Sequence, residues 1–370
     1  MKAVILVGGE GTRLRPLSYH RPKPMMPVGN RPFIEYILRL LKKYAVEDII
    51  LSTCYLPEVL QAQLRDGSHL GVKLTYAVEE SPLGTAGAVK NVEDLLDDTF
   101  VVLNGDVLTD LDLGSLVEFH RSKKSKVTIA LTPVEDPTLY GLVELREDGS
   151  ITRFLEKPSW DQITSNLINA GTYVIEPEVL SFIPVEENYS FERGLFPLLL
   201  RKKIPLFGYV SDAYWLDIGT PAKYLLAHRD LLEGRMEHQF EGQEVGCGLW
   251  VGEGTQISPQ AKIASPVLIG KDCCIEASAR IAGLTVIGNR CRVETGAFLE
   301  GSVLLDDCVI GKNSIVENSI LGQGVRLGQK VHVSDEAVLG DNCIIEDENH
   351  LRRGIKVWPS TILKRETIKF

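Results

Sequence analysis

The strongest constraint on this 370-residue chain is a six-residue repeat of aliphatic residues in its C-terminal third. The repeat occupies two registers separated by a two-residue slip: Val251, Ile257, Ile263, Ile269, Ile275, Ile281, Ile287, Val293 and Leu299, then Val309, Ile315, Leu321, Leu327, Val333, Leu339 and Ile345. An α-helix or a single strand does not produce this period over such a length, whereas a stacked solenoid does. Gly252, Gly270 and Gly288 recur every 18 residues, as expected when three hexapeptides form one triangular coil. We therefore predict a parallel β-helix.

The N-terminal part of the chain alternates short apolar runs with helical spacing. The apolar runs are Ala3–Val7, Ile49–Leu51 and Phe100–Leu103, and the helical spacing is seen at Phe33, Ile34, Ile37, Leu38 and Leu41. This alternation predicts an α/β domain with a Rossmann-like, mostly parallel sheet, in which ligands bind beyond the carboxyl ends of the strands. We predict this domain over residues 1–235 and the β-helix over residues 245–370, with the boundary in the polar stretch Glu233–Glu244.

A glycine-rich loop follows the first predicted strand, from Gly8 to Arg13. Such a loop lets backbone N–H groups approach an anion, and Arg13 adds positive charge. Leu14 stands where a dinucleotide-binding fingerprint needs its third glycine, and no G-K-[ST] follows, so the loop is neither a Rossmann fingerprint nor a P-loop. Lys23 lies between Pro22 and Pro24, which restrict the backbone on both sides. Together these features favour a triphosphate clamp over a solvated surface lysine.

Two aspartates are candidate metal ligands. Asp106 follows the predicted strand at Phe100–Leu103, and Asp217 lies in Trp215-Leu216-Asp217-Ile218-Gly219. Two carboxylates together with phosphate oxygens and water suit Mg²⁺, which rarely occupies a cage made only of protein ligands. For either aspartate alone, a helix cap or a turn residue is the simpler interpretation.

Composition excludes several classes of function. A net charge of −10 and a pI near 5.3 argue against a general nucleic-acid binder, which needs lysine and arginine to neutralise phosphates. No apolar run approaches the ~18 residues of a membrane span, and the apolar start is too short for a signal peptide. The seven cysteines include no C-x-x-C pair, which favours free thiols in a reducing cytoplasm.

The motifs occur in a specific order along the chain: G-G-x-G-T-R-L-x-P from Gly8, the Lys23 segment, L-G-T-A-G at Leu83–Gly87, Asp106, Glu156-Lys157-Pro158, Asn169-Ala170-Gly171 and Trp215–Gly219. With its motifs in this order, the sequence resembles the nucleoside-diphosphate-sugar pyrophosphorylases, most closely the mannose-1-phosphate guanylyltransferase branch. The resemblance covers nearly the whole chain. It implies a left-handed β-helix, cytoplasmic location and a homo-oligomer.

The resemblance also implies a role for each matching residue. The nucleotide would be bound by Leu6, Gly8, Gly9, Gly11, Thr12, Arg13, Lys23, Glu79 and Gly84. The sugar phosphate would be bound by Gly141, Glu156, Lys157 and Asn169. Asp106 and Asp217 would hold Mg²⁺, and Arg13, Lys23, Asp106, Lys157 and Asp217 would be the catalytic set.

The implied reaction joins a nucleoside triphosphate to a sugar 1-phosphate and releases pyrophosphate. GTP with mannose 1-phosphate is favoured, and the alternative is adenylyl, uridylyl or thymidylyl transfer to glucose 1-phosphate. We expect Glu79 to select guanine, because a carboxylate only accepts hydrogen bonds and guanine presents two adjacent donors; alternatively, Glu80 or a backbone carbonyl reads the base. Two other hypotheses remain: a non-catalytic pyrophosphorylase-like regulatory subunit, and acyl transfer by His332 of the β-helix.

Overall fold

The computed structural model describes residues 1–369, which form two compact units. The first unit comprises Met1–Glu10 and Ile34–Trp215, and the second comprises Gly11–Phe33 and the chain from Leu216 onwards. The segment Gly11–Phe33 therefore groups with the C-terminal part of the chain. The predicted division into a catalytic domain, 1–235, and a β-helix domain, 245–370, stays a prediction.

The N-terminal part contains helices and strands in alternation. The helices are α1 (Ile34–Lys43), α2 (Pro57–Leu64), α3 (Gly84–Lys90), α4 (Leu113–Lys123), α5 (Phe196–Arg201) and α6 (Pro221–Leu232). The strands are β1 (Ala3–Leu6), β2 (Pro27–Val28), β3 (Arg31–Pro32), β4 (Asp48–Thr53), β5 (Lys73–Val78), β6 (Phe100–Asn104), β7 (Val107–Thr109), β8 (Val127–Pro133), β9 (Gly141–Leu145), β10 (Ile151–Glu156), β11 (Leu167–Ile175), β12 (Leu206–Val210) and β13 (Trp215–Asp217). None of the helices in residues 1–369 has the length and apolar character that a membrane crossing requires.

The first unit is built on a mixed nine-stranded sheet. Strands β6, β1, β4 and β5 are parallel neighbours in that order, and β12 lies parallel to β8. Strand β11 runs antiparallel between β6 and β8, and the β9–β10 hairpin joins its other end. Residues Ala3, Val4 and Ile5 of β1 are fully buried, which is why this central strand reads as an unbroken apolar run. The Rossmann-like α/β fold predicted for this region is confirmed.

The second unit contains the solenoid. Its strands are β14 (Gln243–Gly246), β15 (Leu249–Val251), β16 (Gln256–Ile257), β17 (Lys262–Ile263), β18 (Val267–Ile269), β19 (Cys274–Ile275), β20 (Arg280–Ile281), β21 (Thr285–Ile287), β22 (Arg292–Val293), β23 (Phe298–Glu300), β24 (Val303–Leu304), β25 (Val309–Ile310), β26 (Ile315–Glu317), β27 (Ile320–Leu321), β28 (Arg326–Leu327), β29 (His332–Val333), β30 (Val338–Leu339), β31 (Ile344–Ile345), β32 (His350–Leu351), β33 (Lys356–Val357) and β34 (Ile362–Leu363). Every third strand pairs in parallel from β15 onwards, giving three sheets and confirming the predicted β-helix.

Inward-facing side chains, most of them aliphatic and several of them cysteine or alanine, fill the solenoid. From Val267 to Val357 they form a single buried cluster. Fully burying a valine, leucine or isoleucine contributes roughly 1.5–3 kcal/mol, so this ladder is the main source of the solenoid's stability.

The predicted register of the repeat was wrong at two positions. The repeat read from the sequence includes Val309 and Ile315, but the fully buried residues of these strands are Ile310 and Val316. The two-residue slip is in fact two single-residue deletions, because Leu304 pairs with Leu321 at a spacing of 17 residues, as Val286 does with Val303. The remaining coils keep the spacing of 18.

Candidate active site

The glycine loop begins where β1 ends at the carboxyl edge of the sheet. The backbone of Leu6 accepts a hydrogen bond from Gly105 N at 2.9 Å. A Cβ at Gly8 would lie 3.5 Å from Cys54 Cβ and 3.6 Å from Glu79 Oε1, whereas a Cβ at Gly9 would meet nothing within 4 Å. The backbone at Gly9 is therefore open to a ligand. The first unit thus brings Gly8 and Glu79 together, two residues that the sequence assigned to the nucleotide.

Glu79 is buried and already makes two hydrogen bonds. Its Oε1 accepts from Ser52 Oγ at 2.9 Å, and its Oε2 accepts from Leu83 N at 2.9 Å. Glu79 therefore orients the L-G-T-A-G turn as well as lying beside Gly8. Because each carboxylate oxygen has a second lone pair, the side chain keeps acceptor capacity for a further donor.

Gly84 opens helix α3 in a conformation that only glycine adopts readily. Its φ is +73°, and a Cβ there would lie 2.8 Å from Tyr189 O. The same carbonyl accepts from Ala86 N and Gly87 N at 2.9 and 3.0 Å. The close approach of this backbone to Tyr189 fixes the turn beside Glu79.

Asp106 stands at the turn from β6 into β7. Gly105 precedes it, and a Cβ at Gly105 would collide with Val7 Cγ1 at 2.5 Å and Leu6 O at 2.7 Å. The turn can therefore pack directly on the end of β1 only because residue 105 has no side chain. Asp106 is partly exposed at the carboxyl edge of the sheet, as the sequence predicted.

Gly141 and Glu156 face each other across the β9–β10 hairpin. They are paired residues, and a Cβ at Gly141 would lie 3.1 Å from Glu156 Oε2 and 2.6 Å from Phe154 Cζ. Burial raises the pKa of Glu156, and the nearby Glu192 carboxylate raises it further. A carboxyl group in such a position is held ready to accept from ligand hydroxyl groups.

Asn169 belongs to a hydrogen-bonded group that we call the Tyr173 cluster: Asn169, Tyr173, Glu192 and Thr85. Asn169 Nδ2 donates to Tyr173 Oη at 2.8 Å, and Tyr173 Oη donates to Glu192 Oε1 at 3.3 Å. Thr85 Oγ1 donates to Glu192 Oε2 at 3.0 Å. The cluster therefore links the L-G-T-A-G turn to the strand that carries Asn169.

Lys157 follows β10 with a left-handed backbone. Its φ is +50°, and its amide donates to Tyr140 O at 2.9 Å. Non-glycine residues adopt this region less often than glycine, and here it turns the chain directly after β10. The side chain is exposed, and its ammonium forms no hydrogen bond or ion pair with the residues that the structure describes.

In the second unit, Arg13 and Asp217 converge on Gly219. A Cβ at Gly219 would lie 3.0 Å from Arg13 Nη2 and 3.1 Å from Asp217 Oδ2. A side chain at 219 would therefore displace both charged groups. Thr12 and Arg13 are exposed in a short 3₁₀ helix, Thr12–Leu14.

Asp217 also lies between two lysines. Lys23 Nζ is 3.5 Å from Asp217 Oδ1, and Lys223 Nζ is 3.5 Å from Oδ2. Lys23 is 8% exposed and packs beneath Gly11, whose φ is +62° and where a Cβ would approach Lys23 Cβ to 3.2 Å. Thr220 caps α6 by accepting from Lys223 N at 3.3 Å, and this cap places Lys223 on the first turn.

Asp217 can contribute one carboxylate to a divalent cation. Its Oδ1 is buried and accepts no hydrogen bond from residues 1–369, although Lys23 Nζ lies 3.5 Å from it. No group of three or more histidine, cysteine, aspartate or glutamate side chains in the described chain could hold a metal by itself. A cation here would need further oxygens from substrate and water.

Two residues that contact the predicted set were not identified from the sequence. Glu192 lies in a π-helical turn, Phe191–Leu195, and Lys223 lies on α6, where it resembles any surface lysine. Ser190, two residues before Glu192, accepts a hydrogen bond from the Glu192 amide through its side chain, a capping pattern that could have drawn attention to this turn. No local signal distinguishes Lys223.

Two family models and several solved structures match this chain. The nucleotidyl transferase family model matches residues 2–234, and the GMPPB C-terminal domain model matches residues 263–369. The crystal structure of HddC from Yersinia pseudotuberculosis complexed with GMP-PN is 31% identical with a TM-score of 0.53, covering 61% of this chain and 97% of that one. A crystal structure of a putative glucose-1-phosphate thymidylyltransferase from Bacillus anthracis, in complex with a sucrose, is 28% identical with a TM-score of 0.56, covering 65% of this chain and 97% of that one.

Several curated proteins are similar over most of their length. A mannose-1-phosphate guanylyltransferase of Mycobacterium tuberculosis is 41% identical over 274 residues, 73% of this chain and 75% of that protein. A mannose-1-phosphate guanyltransferase of Debaryomyces hansenii is 36% identical over 97% of this chain and 96% of its own. A UTP–glucose-1-phosphate uridylyltransferase of a Synechocystis species is 34% identical over 93% of this chain and 88% of that protein. The chain therefore belongs to the nucleotidyl transferase family.

Proposed function

We propose that this protein transfers a guanylyl group from GTP to mannose 1-phosphate, giving GDP-mannose and pyrophosphate. The observation that carries the proposal is the charged group around Asp217, in which Lys23 and Lys223 contact one carboxylate and Arg13 lies beside Gly219 next to it. Such a group suits a reaction between two anions at a metal. The similarity to mannose-1-phosphate guanylyltransferases supports the choice of substrates.

The chemistry requires charge neutralisation and alignment. An oxygen of the sugar phosphate attacks the α-phosphorus of GTP, the bond to the β-phosphate oxygen breaks, and pyrophosphate leaves with that electron pair. The attacking phosphate is already ionised at neutral pH, so no general base is needed. Positioned cations then supply most of the rate enhancement. We assign Arg13 and Lys23 to the triphosphate and Lys157 to the incoming sugar phosphate.

Enzymes of this family use a divalent metal, and we propose that it is Mg²⁺ here. Asp106 and Asp217 would provide carboxylate ligands. Bound there, magnesium would orient phosphate oxygens and neutralise the charge that develops on them. The chain's own contribution is to hold the Asp217 carboxylate between Lys23 and Lys223, which limits its motion before substrate binds.

We assign selection of the sugar and of the base to residues without positive charge, which can accept hydrogen bonds from the substrates. We assign Gly141, Glu156 and Asn169 to sugar hydroxyls, because Gly141 pairs with Glu156 across the β9–β10 hairpin and Asn169 lies on the neighbouring strand β11. Leu6, Gly8, Gly9, Gly11, Thr12, Glu79 and Gly84 are assigned to the nucleotide. Homo-oligomer formation and the cytoplasmic location stay predictions.

The uridylyltransferase relative makes uridylyl transfer to glucose 1-phosphate the second candidate. Pyrophosphate release from GTP, UTP, ATP and dTTP, each with mannose 1-phosphate and glucose 1-phosphate, separates the two. We expect the highest kcat/KM for GTP with mannose 1-phosphate. A higher value for UTP with glucose 1-phosphate would replace the first proposal with the second, and no release from any pair would leave only a non-catalytic role.

A further inference from the structure

We propose that the β-helix positions the triphosphate-binding lysine, and that Arg21 and Asp341 are the positioning residues. The inference rests on the role proposed above for Lys23. It follows from contacts made by Gly11–Phe33, which we call the clamp segment, with the solenoid of the same compact unit.

Arg21 lies two residues before Lys23 and reaches the solenoid with its guanidinium. Arg21 Nη2 donates to Gln323 Oε1 at 2.8 Å and lies 3.4 Å from Asp341 Oδ2. The side chains of Arg21 and Asp341 are only 17% and 7% exposed, so solvent screens this ion pair less than one at the surface. Losing one partner of such a pair leaves an uncompensated charge, so each side chain favours keeping the other in place.

Asp341 is used differently from its counterparts on other coils. At this corner of the solenoid, one side-chain oxygen accepts from a backbone amide of the preceding coil: Asp306 Oδ1 from Asn289 N at 2.9 Å, and Asp341 Oδ1 from Gln323 N at 2.8 Å. The second oxygen of Asp306 pairs with Arg290, a solenoid residue, at 3.2 Å. The second oxygen of Asp341 instead faces Arg21, outside the solenoid.

Other contacts hold the clamp segment on both sides of Lys23. Before Lys23, the Tyr19 and Trp358 rings meet edge to face with centroids 6.0 Å apart. After it, Asn30 Nδ2 donates to Ile287 O at 2.8 Å.

Between these contacts the backbone has little freedom to absorb movement. Pro22 has φ −65°, Lys23 begins a 3₁₀ turn, and Met25 N donates to Pro22 O at 2.9 Å. A shift of Arg21 would therefore be transmitted to the Lys23 ammonium, which lies 3.5 Å from Asp217 Oδ1. Misplacement of a catalytic group by about 1 Å can reduce a rate by about a hundred-fold. This gives the solenoid a part in phosphate binding.

The test compares Arg21→Gln, Asp341→Asn and the double variant with the matched control Asp306→Asn. We expect each single change to lower kcat by about ten- to a hundred-fold and to weaken binding of a non-hydrolysable GTP analogue measured by calorimetry. The KM for mannose 1-phosphate should stay within about two-fold, because Lys157 belongs to the other unit. The kcat of the double variant should be no lower than that of either single variant. Arg21→Lys should have a higher kcat than Arg21→Gln. Asp306→Asn should behave as wild type.

Thermal unfolding separates an effect on stability from an effect on catalysis, and a Lys23→Gln variant tests the role proposed for Lys23. If Arg21→Gln and Asp341→Asn lower only the unfolding temperature, and keep normal kcat and analogue affinity when assayed well below it, the inference is wrong. Multiplicative effects in the double variant would also overturn it. If Lys23→Gln itself retains full turnover, the proposed role of Lys23 fails and the inference falls with it. If Lys23→Gln is inactive while Arg21→Gln is normal, only the inference fails.

Discussion

Lys23 and Asp217 are separated by nearly two hundred positions in the sequence, yet the lysine Nζ lies 3.5 Å from the aspartate Oδ1. Both side chains are largely buried, at 10% and 14% exposure. A buried lysine and aspartate in contact are either a structural ion pair or parts of one site. Because Lys223 contacts the same carboxylate and Arg13 lies beside Gly219 next to it, we assign these groups to one site.

Asp217→Asn should therefore abolish turnover at limiting Mg²⁺ without unfolding the protein. The amide keeps the shape of the side chain but removes the charge that a hard cation requires. Turnover is measured across a magnesium titration, and Mn²⁺ affinity is measured by electron paramagnetic resonance, which does not depend on activity. Asp106→Asn should give the same result, and Asp212→Asn, at an exposed loop position, serves as the control. Normal turnover at limiting metal would show that the altered aspartate is not a ligand.

Lys157→Ala should impair use of the sugar phosphate while sparing the triphosphate. The ammonium has no partner among the described residues, so the substitution breaks no internal ion pair and acts through the lost charge. We expect KM for mannose 1-phosphate to rise and kcat to fall, each by roughly ten-fold or more, equivalent to about 1.4 kcal/mol per factor of ten. Lys73→Ala, an exposed lysine at the start of β5, is the matched control. An equal loss of GTP-analogue affinity would contradict the assignment.

Glu79→Gln tests base selection. Glutamine still accepts through one oxygen but replaces the other by an NH₂ donor, which would oppose either Leu83 N or one of the two donors of guanine. We expect kcat/KM for GTP to fall and its advantage over UTP and dTTP to narrow, because an unmade charged hydrogen bond costs about 1–3 kcal/mol. Glu80→Gln, one residue along and exposed, tests the alternative reader. If only Glu80→Gln changes the ranking of triphosphates, Glu79 is not the selector.

Glu156→Gln should stabilise the protein in a pH-dependent way. Burial raises the pKa of Glu156 in the folded state, so the ionised form is disfavoured there. Its stabilising contribution is present below the unfolded-state pKa and is lost as pH rises through the raised folded-state pKa. The variant should therefore unfold at a higher temperature than wild type at pH 7 but not at pH 4, while its KM for mannose 1-phosphate rises. Glu147→Gln, an exposed position on the same hairpin, is the control. An equal rise in unfolding temperature at pH 7 and at pH 4 would show that the raised pKa of Glu156 is not the cause.

The sequence alone determined the two kinds of architecture and the order of the site motifs. These depend on local patterns: an unbroken apolar run for β1, glycines directly after it, and a six-residue period for the solenoid. It could not determine the register beyond Leu299, because Val309–Ile310 and Ile315–Val316 are adjacent aliphatic pairs and either member could face inward. Only the packing of successive coils, two of them one residue short, selected Ile310 and Val316.

The tertiary structure decided which distant charges meet. Arg21 and Asp341 are 320 residues apart, and neither has a neighbouring pattern that indicates the other. The same holds for Lys223 beside Asp217 and for Glu192 joining Thr85 to Tyr173. A local pattern reports the conformation of its own segment, whereas an ion pair depends on how two segments pack. For this reason the glycines, lysines and aspartates of the motifs could be predicted, but the residues that orient them could not.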